Sequence, residues 1–192
     1  MTPRATPLTP DERRAALVEA TVPLLFQHGR AVTTRLIAEA AGVAEGTIFR
    51  AFDSKEALID AAVDSAIAPT AYEARLREID LDAPLHERLE ALVAAMQQRF
   101  SRIFLLMDKL GMAAPEKERR REFRERWEAR LQPLVRDVLG DDAARLRVDP
   151  DRALQIIRLL TFSGSHPAIS HGQPMTPSEI VDVLLHGMLE AD

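Results

Sequence analysis

An all-α fold, with a small N-terminal three-helix unit and a larger helical domain after it, is predicted by three features of the 192-residue sequence. Alanine, leucine, arginine and glutamate dominate, and all four favour helix because they lose little side-chain freedom there. Glycine is scarce, at 8 residues. Apolar residues recur three and four apart, whereas β-branched runs are short and never alternate for long. At 46% hydrophobic and 29% charged residues, the chain can bury a core and stay in solution.

The elements follow in order. Residues 1–8 read as a tail. Thr9-Pro10-Asp11-Glu12 opens a first helix with a threonine cap, proline at the first helical position and glutamate three after the cap. Leu17, Ala20, Leu24, Leu25 and Phe26 form its apolar face, Pro23 should kink it, and Gly29 should end it as a left-handed cap. A short second helix is expected from about Thr34 to Ala41, stopped by Gly42. A third runs from about Ala44 to Phe52, with Val43, Ile48 and Phe52 facing inward. Asp53-Ser54 caps a fourth helix, carrying Leu58, Ala61, Ala62 and Ala66 and interrupted by Pro69. The long stripe Leu85, Leu89, Leu92, Met96, Phe100, Ile103, Phe104, Met107 predicts an extended helix ending near Gly111. Another helix is expected between Pro115 and Gly140, and one opens after Asp149-Pro150. After a loop over His166 to Thr176, Thr176-Pro177-Ser178-Glu179 repeats the capping pattern ahead of Ile180, Val183, Leu184 and Met188.

The most informative segment is Thr33 to Phe52. Two short helices meet at a tight turn containing Gly42. Ala38 and Ala41 are small enough for close packing, and Val43 and Ile48 lock the turn. A helix-turn-helix has this plan, and its second helix can enter the major groove of DNA. The stretch from Leu24 to Leu58 resembles the DNA-binding region of the TetR family: Leu24-Leu25, Gly29, Thr33-Thr34, Ile37-Ala38, Ala41-Gly42-Val43, Gly46-Thr47-Ile48-Phe49, Phe52 and Ser54-Lys55-Glu56-Ala57-Leu58 follow its pattern.

The resemblance, with the chemistry of the side chains, nominates Thr33, Thr34, Arg35, Ala44, Glu45, Gly46, Thr47, Phe49, Arg50 and Lys55 as DNA-binding residues. Thr34 can give a hydroxyl and a backbone N–H to a phosphate, and Arg35 can reach a guanine edge. Glu45, Gly46 and Thr47 lead the recognition helix; Gly46 permits close backbone approach, and Thr47 can touch phosphate or a thymine methyl. Phe49 stands where a tyrosine is usual and lacks its hydroxyl. Arg50 reads as solvated or phosphate-facing, and Lys55 as a phosphate contact at a helix start. Three positions depart from the pattern. Ala44 replaces a capping serine, at about 1 kcal/mol; Ala51 replaces a phosphate-contacting His or Tyr; and Glu45 is acidic at a base-reading position, where it can accept from a cytosine N4.

Domain boundaries are expected at 9–55 for the DNA-binding domain and 56–192 for an effector-binding and dimerisation domain. The resemblance implies that this larger domain holds a ligand cavity and that the last two helices pair two protomers. Met96, Phe100, Phe104, Met107, Phe123, Trp127 and Phe162 are nominated as ligand-binding, with Met112 as a further candidate, against the plain alternative that they are core. Residues 150–163 and 177–189 could build a four-helix bundle with a second copy. A homodimer matches a near-palindromic operator, since one helix-turn-helix reads only a few base pairs.

Charge and composition bound the rest. The net charge of −5 divides into +1 over residues 1–55 and −6 over 56–192, which permits the N-terminal part to face DNA. The basic run Lys117 to Arg130 is interleaved with glutamate, as in Glu116/Arg120 and Glu122/Arg126, and reads as a solvated helix face. Absence of cysteine excludes disulfides and thiolate sites. His28, His86, His166, His171 and His186 lack metal-ligand spacing, and no HExxH, P-loop, GxSxG or Rossmann pattern occurs. No catalytic residue, metal or cofactor is therefore expected. No signal peptide or membrane span is expected either, and the default location is the cytoplasm. The rival reading is a helical enzyme or small-molecule-binding protein without a DNA role.

Overall fold

A computed structural model of the chain describes residues 9–111 and 129–188. Its helices are α1 Pro10–His28, α2 Thr34–Ala41, α3 Ile48–Ala51, α4 Lys55–Ile67, α5 Thr70–Arg77, α6 Leu85–Leu110, α7 over 129–139, α8 Pro150–Ser165 and α9 Pro177–His186. No strand occurs among the described residues, in line with the helix-favouring composition. No helix there is long and apolar enough to cross a membrane.

The helices fall into two compact units. The first contains α1 to α4 and the end of α6 from Leu105 onward. Leu17 and Leu25 of α1, Ile37 of α2, Ile48 of α3, Leu58 of α4 and Leu106 and Leu110 of α6 are fully buried together. Each such side chain contributes about 1.5–3 kcal/mol relative to exposure. This packing unit reaches past residue 55, because Leu58, Ala62, Val63 and Ala66 of α4 belong to its core.

Local chemistry sets the boundaries. At the start of α1, the Thr9 hydroxyl accepts from the Glu12 N–H at 3.2 Å and the Glu12 carboxylate accepts from the Thr9 N–H at 2.8 Å. The α1 helix continues through Pro23, so the lost bond to Glu19 does not end it. Gly29 does not take the left-handed helical conformation expected of it: φ is 55° and ψ −133°. The reason is a close approach. A Cβ on Gly29 would lie 2.0 Å from the carbonyl oxygen of Lys109, near the end of α6. Beside it, Arg30 Nε donates to the Leu110 carbonyl at 2.5 Å, capping that helix end.

The second unit contains α5, the body of α6 to Phe104, and α7 to α9. Its core gathers Tyr72 and Leu76, Leu89, Leu92 and Val93, Val138 and Leu139, Ile157, and Ile180 and Val181. The guanidinium of Arg88 is buried within it, donating to the Val138 carbonyl at 2.8 Å and to Asp142 at 2.5 Å, so that a charged side chain closes the end of α7. Helix α5 was not anticipated. Pro69 ends α4 but also sits at the cap position of a new helix, where its missing N–H costs nothing. Helix α9 is shorter than its apolar face suggested. It stops at His186, Gly187 turns away at φ 80°, and Met188 lies outside it, 90% exposed.

Candidate nucleic-acid interface

Within the first unit, α2 ends in a tight hydrogen-bonded turn. Gly42 is left-handed at φ 66° and ψ 32°. Its N–H reaches the Glu39 carbonyl at 3.2 Å, and the Val43 N–H reaches the Ala38 carbonyl at 3.0 Å. This pair of bonds is the Schellman pattern, with Val43 folded back onto the core. Small residues at Ala38 and Ala41 permit the packing, as the sequence indicated.

The next element differs from a regular helix. Ala44 caps it with backbone only, having no side-chain oxygen to offer. Its first turn, Glu45–Thr47, is a 3-10 turn, and α3 adds one α-helical turn, Ile48–Ala51. A helix this short has no stability of its own. It is held by Ile48 and Phe52, buried on its inner side. Glu45, Gly46, Phe49 and Arg50 are consequently turned to solvent, Phe49 with 54% of its surface exposed.

Gly46 is informative because nothing among the described residues demands it. Its φ is not in the positive range, and a Cβ built there would meet no atom within 4 Å. A glycine in a helical turn costs about 0.5–1 kcal/mol relative to alanine. Gly42 needs its left-handed φ and Gly29 its close contact, whereas the space outside Gly46 is open.

The other nominated residues surround this element. Thr33 caps α2, its hydroxyl accepting from the Leu36 N–H at 3.2 Å. Thr34 donates its hydroxyl to the Glu45 carboxylate, linking the start of α2 to the leading turn. Thr47 is half-buried. Arg35 is paired with Glu39 at 3.0 Å on an exposed surface, an interaction worth under about 0.5 kcal/mol that a stronger partner can displace. Lys55 donates to the Val32 carbonyl at 3.0 Å, which leaves two of its three N–H donors. Arg14, which the sequence did not nominate, touches the far end of α3. Its side chain sits one helical turn before Leu17, and no local pattern announces that contact.

The nominated ligand residues divide. In the second unit Phe100, Phe104 and Phe162 come together, with Phe162 edge-on to Phe100 at 5.3 Å and to Phe104 at 5.0 Å between ring centres. His166 joins them 4.5 Å from Phe104. Met96 is buried in the core of that unit. Met107 instead lies on the part of α6 that belongs to the first unit. Met112, Phe123 and Trp127 lie outside the described residues, as do Glu116, Lys117, Arg120, Glu122 and Arg126.

A helix-turn-helix whose second element is anchored by its inner face and bare on its outer face defines a DNA-binding protein. The family model for bacterial regulatory proteins of the tetR family matches residues 17–62. The HTH-type transcriptional repressor KstR2 of Rhodococcus jostii (strain RHA1) is 31% identical over 159 residues, 76% of this chain and 74% of that protein. Among solved structures, the fatty acid degradation regulator FadR from Bacillus halodurans aligns with a TM-score of 0.63 at 19% identity, covering 95% of this chain and 98% of that one. FadR from Bacillus subtilis, solved in complex with stearoyl-CoA, aligns at 0.61 and 19%, covering 91% and 99%. The chain belongs to the TetR family and is a DNA-binding transcriptional regulator.

Proposed function

We propose that the chain is a repressor that binds a near-palindromic operator as a homodimer and is released by a small molecule. The observation that carries the DNA-binding half is the bare leading edge of the 45–51 element, above all the unneeded glycine at Gly46. Thr33, Thr34, Arg35, Ala44, Glu45, Gly46, Thr47, Phe49, Arg50 and Lys55 are the proposed DNA-facing set. The 31% identical relative is named as a repressor, which supports repression over activation.

Exposed apolar residues support pairing of two copies. Leu159 of α8 and Val183 of α9 remain in contact with water in one protomer, although each would be stabilised by burial. Joining the two C-terminal helices to those of a second copy covers them and presents two recognition elements. The effector is proposed to be apolar or amphipathic. Met96, Phe100, Phe104 and Phe162 are the nominated residues described in the second unit; Met107 lies in the first unit, and Phe123 and Trp127 lie outside the described residues. The stearoyl-CoA held by the FadR neighbour supports an acyl-type ligand. Release requires only that the ligand bind the non-DNA-binding conformation more tightly than the other. The cytoplasm, where the DNA lies, is the proposed compartment.

The test is selection from random duplex DNA by the full chain, followed by gel shift of the enriched duplex at several salt concentrations. A two-fold symmetric sequence, bound more weakly as salt rises and released by stearoyl-CoA at micromolar concentration, is the expected result. No enrichment at all rejects the DNA-binding proposal. Enrichment of an asymmetric single site rejects the dimer. A complex indifferent to acyl-CoA rejects that effector class.

A further inference from the structure

We propose that Arg14 of α1 is a positioning residue for DNA recognition, setting the angle of the recognition element without touching DNA. The proposal rests on the reading that residues 45–51 meet the DNA. Arg14 Nη1 donates to the carbonyl of Ala51, the last residue of α3, at 2.6 Å. Its guanidinium carbon also lies 3.8 Å from the centre of the Phe52 ring.

Both contacts answer a specific need. The last carbonyls of any helix lack partners within it, and the field of the helix favours a cation there. In α3, with only four residues, those carbonyls are most of the helix. The sequence departs from its family pattern at Ala51, which offers no polar side chain of its own. Phe52 is buried and anchors the inner side, and the guanidinium stacked on its ring fixes α1 against that anchor. The front of the element is held by Thr34 through Glu45. The element is thus gripped at its front from α2 and at its back from α1, with the outer face between the grips left bare. Arg14 is a basic residue in a DNA-binding unit, yet its Nη1 donates to a backbone carbonyl and its guanidinium lies over the Phe52 ring.

Salt dependence separates this role from a direct one. The full chain and Arg14→Met, which keeps the apolar stem and loses the donors, are titrated by fluorescence anisotropy against the duplex enriched by the unmodified chain. Base preferences are measured by repeating the selection. The expected result is binding weakened about tenfold, the scale of one charge-assisted hydrogen bond, with flattened base preferences and an unchanged slope of log affinity on log salt. Arg14→Lys, which keeps the charge and a donor, recovers part of the loss. A slope reduced by about 0.9 for each phosphate contact given up makes Arg14 a DNA contact and overturns the proposal. So does binding within twofold of the unmodified chain, or a loss that vanishes on cooling, which would mark a stability residue only. Should Arg14→Met fail to fold, Arg14→Gln, too short to reach the carbonyl, is read by the same criteria. If the unmodified chain enriches no duplex, the underlying reading has failed before any variant is made.

Discussion

Replacing Gly46 by alanine should make the protein more stable and worse at its task. Its backbone is outside the positive-φ range, and the new methyl group would meet no atom within 4 Å. The folded state therefore loses nothing, while the unfolded chain loses conformational freedom. The gain is about 0.5–1 kcal/mol, a rise of roughly 1–4 °C in melting temperature for a chain of this size. In the proposed DNA complex the same methyl group would occupy the surface nearest the groove. Affinity should fall by about 1–3 kcal/mol, the scale of one mismatched base pair. Thermal unfolding followed by circular dichroism measures the first quantity, and anisotropy titration of the enriched duplex measures the second. A lower melting temperature would show that the fold needs this glycine. Unchanged DNA affinity would show that nothing approaches it, and either result removes the argument from Gly46 to a DNA-facing edge.

Gly29→Ala should act in the opposite sense: with a Cβ 2.0 Å from the Lys109 carbonyl oxygen and an unfavourable φ, it should cost at least about 3 kcal/mol. Gly42→Ala, strained in φ but free of neighbours, should cost only about 1–2 kcal/mol; urea unfolding of the two should rank them in that order, and the reverse order would remove the close approach as the reason for Gly29. Stability should also fall in acid. Backbone N–H groups of Thr9 and Thr176 hold Glu12 and Glu179 below their ordinary 4.5, and Arg145 and Arg136 hold Asp142 and Asp151 below 3.8. Depressed folded-state values mean stability fully present above the unfolded values and lost as pH falls through the lower folded ones. Melting temperature should be flat near pH 6 and drop below about pH 4, and a drop beginning near pH 6 would point to histidine instead.

The sequence displayed the first unit well because its determinants are local. A threonine cap with glutamate three residues on, a glycine between two short apolar-faced helices, and a serine before Lys55 each act within one turn of chain. What escaped were contacts set by packing. Gly29 matches a helix-ending glycine by position, but its conformation is dictated by Lys109, eighty residues away. Arg14 looks like any solvated arginine on a first helix until α3 is laid across it. Lys55, expected to face phosphate, also braces the Val32 carbonyl. Among the nominated ligand residues, spacing along α6 could not tell that Met107 lies on the segment assigned to the first unit while Phe100 and Phe104 belong to the second. Met188 continues the apolar periodicity of α9, but Gly187 breaks the helix before it.

Glu45 is the residue whose role the fold most sharply redefines. Considered alone, an acid on a DNA-facing turn either reads a cytosine or repels the backbone. The hydroxyl of Thr34 is bonded to one of its carboxylate oxygens, which fixes the side chain in one orientation and leaves the other oxygen able to accept. A held carboxylate suits base reading, because orientation is established before DNA arrives and little entropy remains to be lost. Two consequences separate reading from repulsion. Glu45→Gln keeps an acceptor for Thr34 but offers an amide where a cytosine amino group would donate, so one cytosine preference in the selected sequences should weaken by about 1–3 kcal/mol. Thr34→Val, which frees the carboxylate without altering it, should weaken the preference at that same base pair by a smaller amount, and the double variant should lose less than the sum of the two. Repulsion predicts otherwise: Glu45→Gln would tighten binding to every duplex alike, and Thr34→Val would leave base preferences untouched. That pattern would reduce Glu45 to a brace for the turn and assign base discrimination to Arg35 and Thr47.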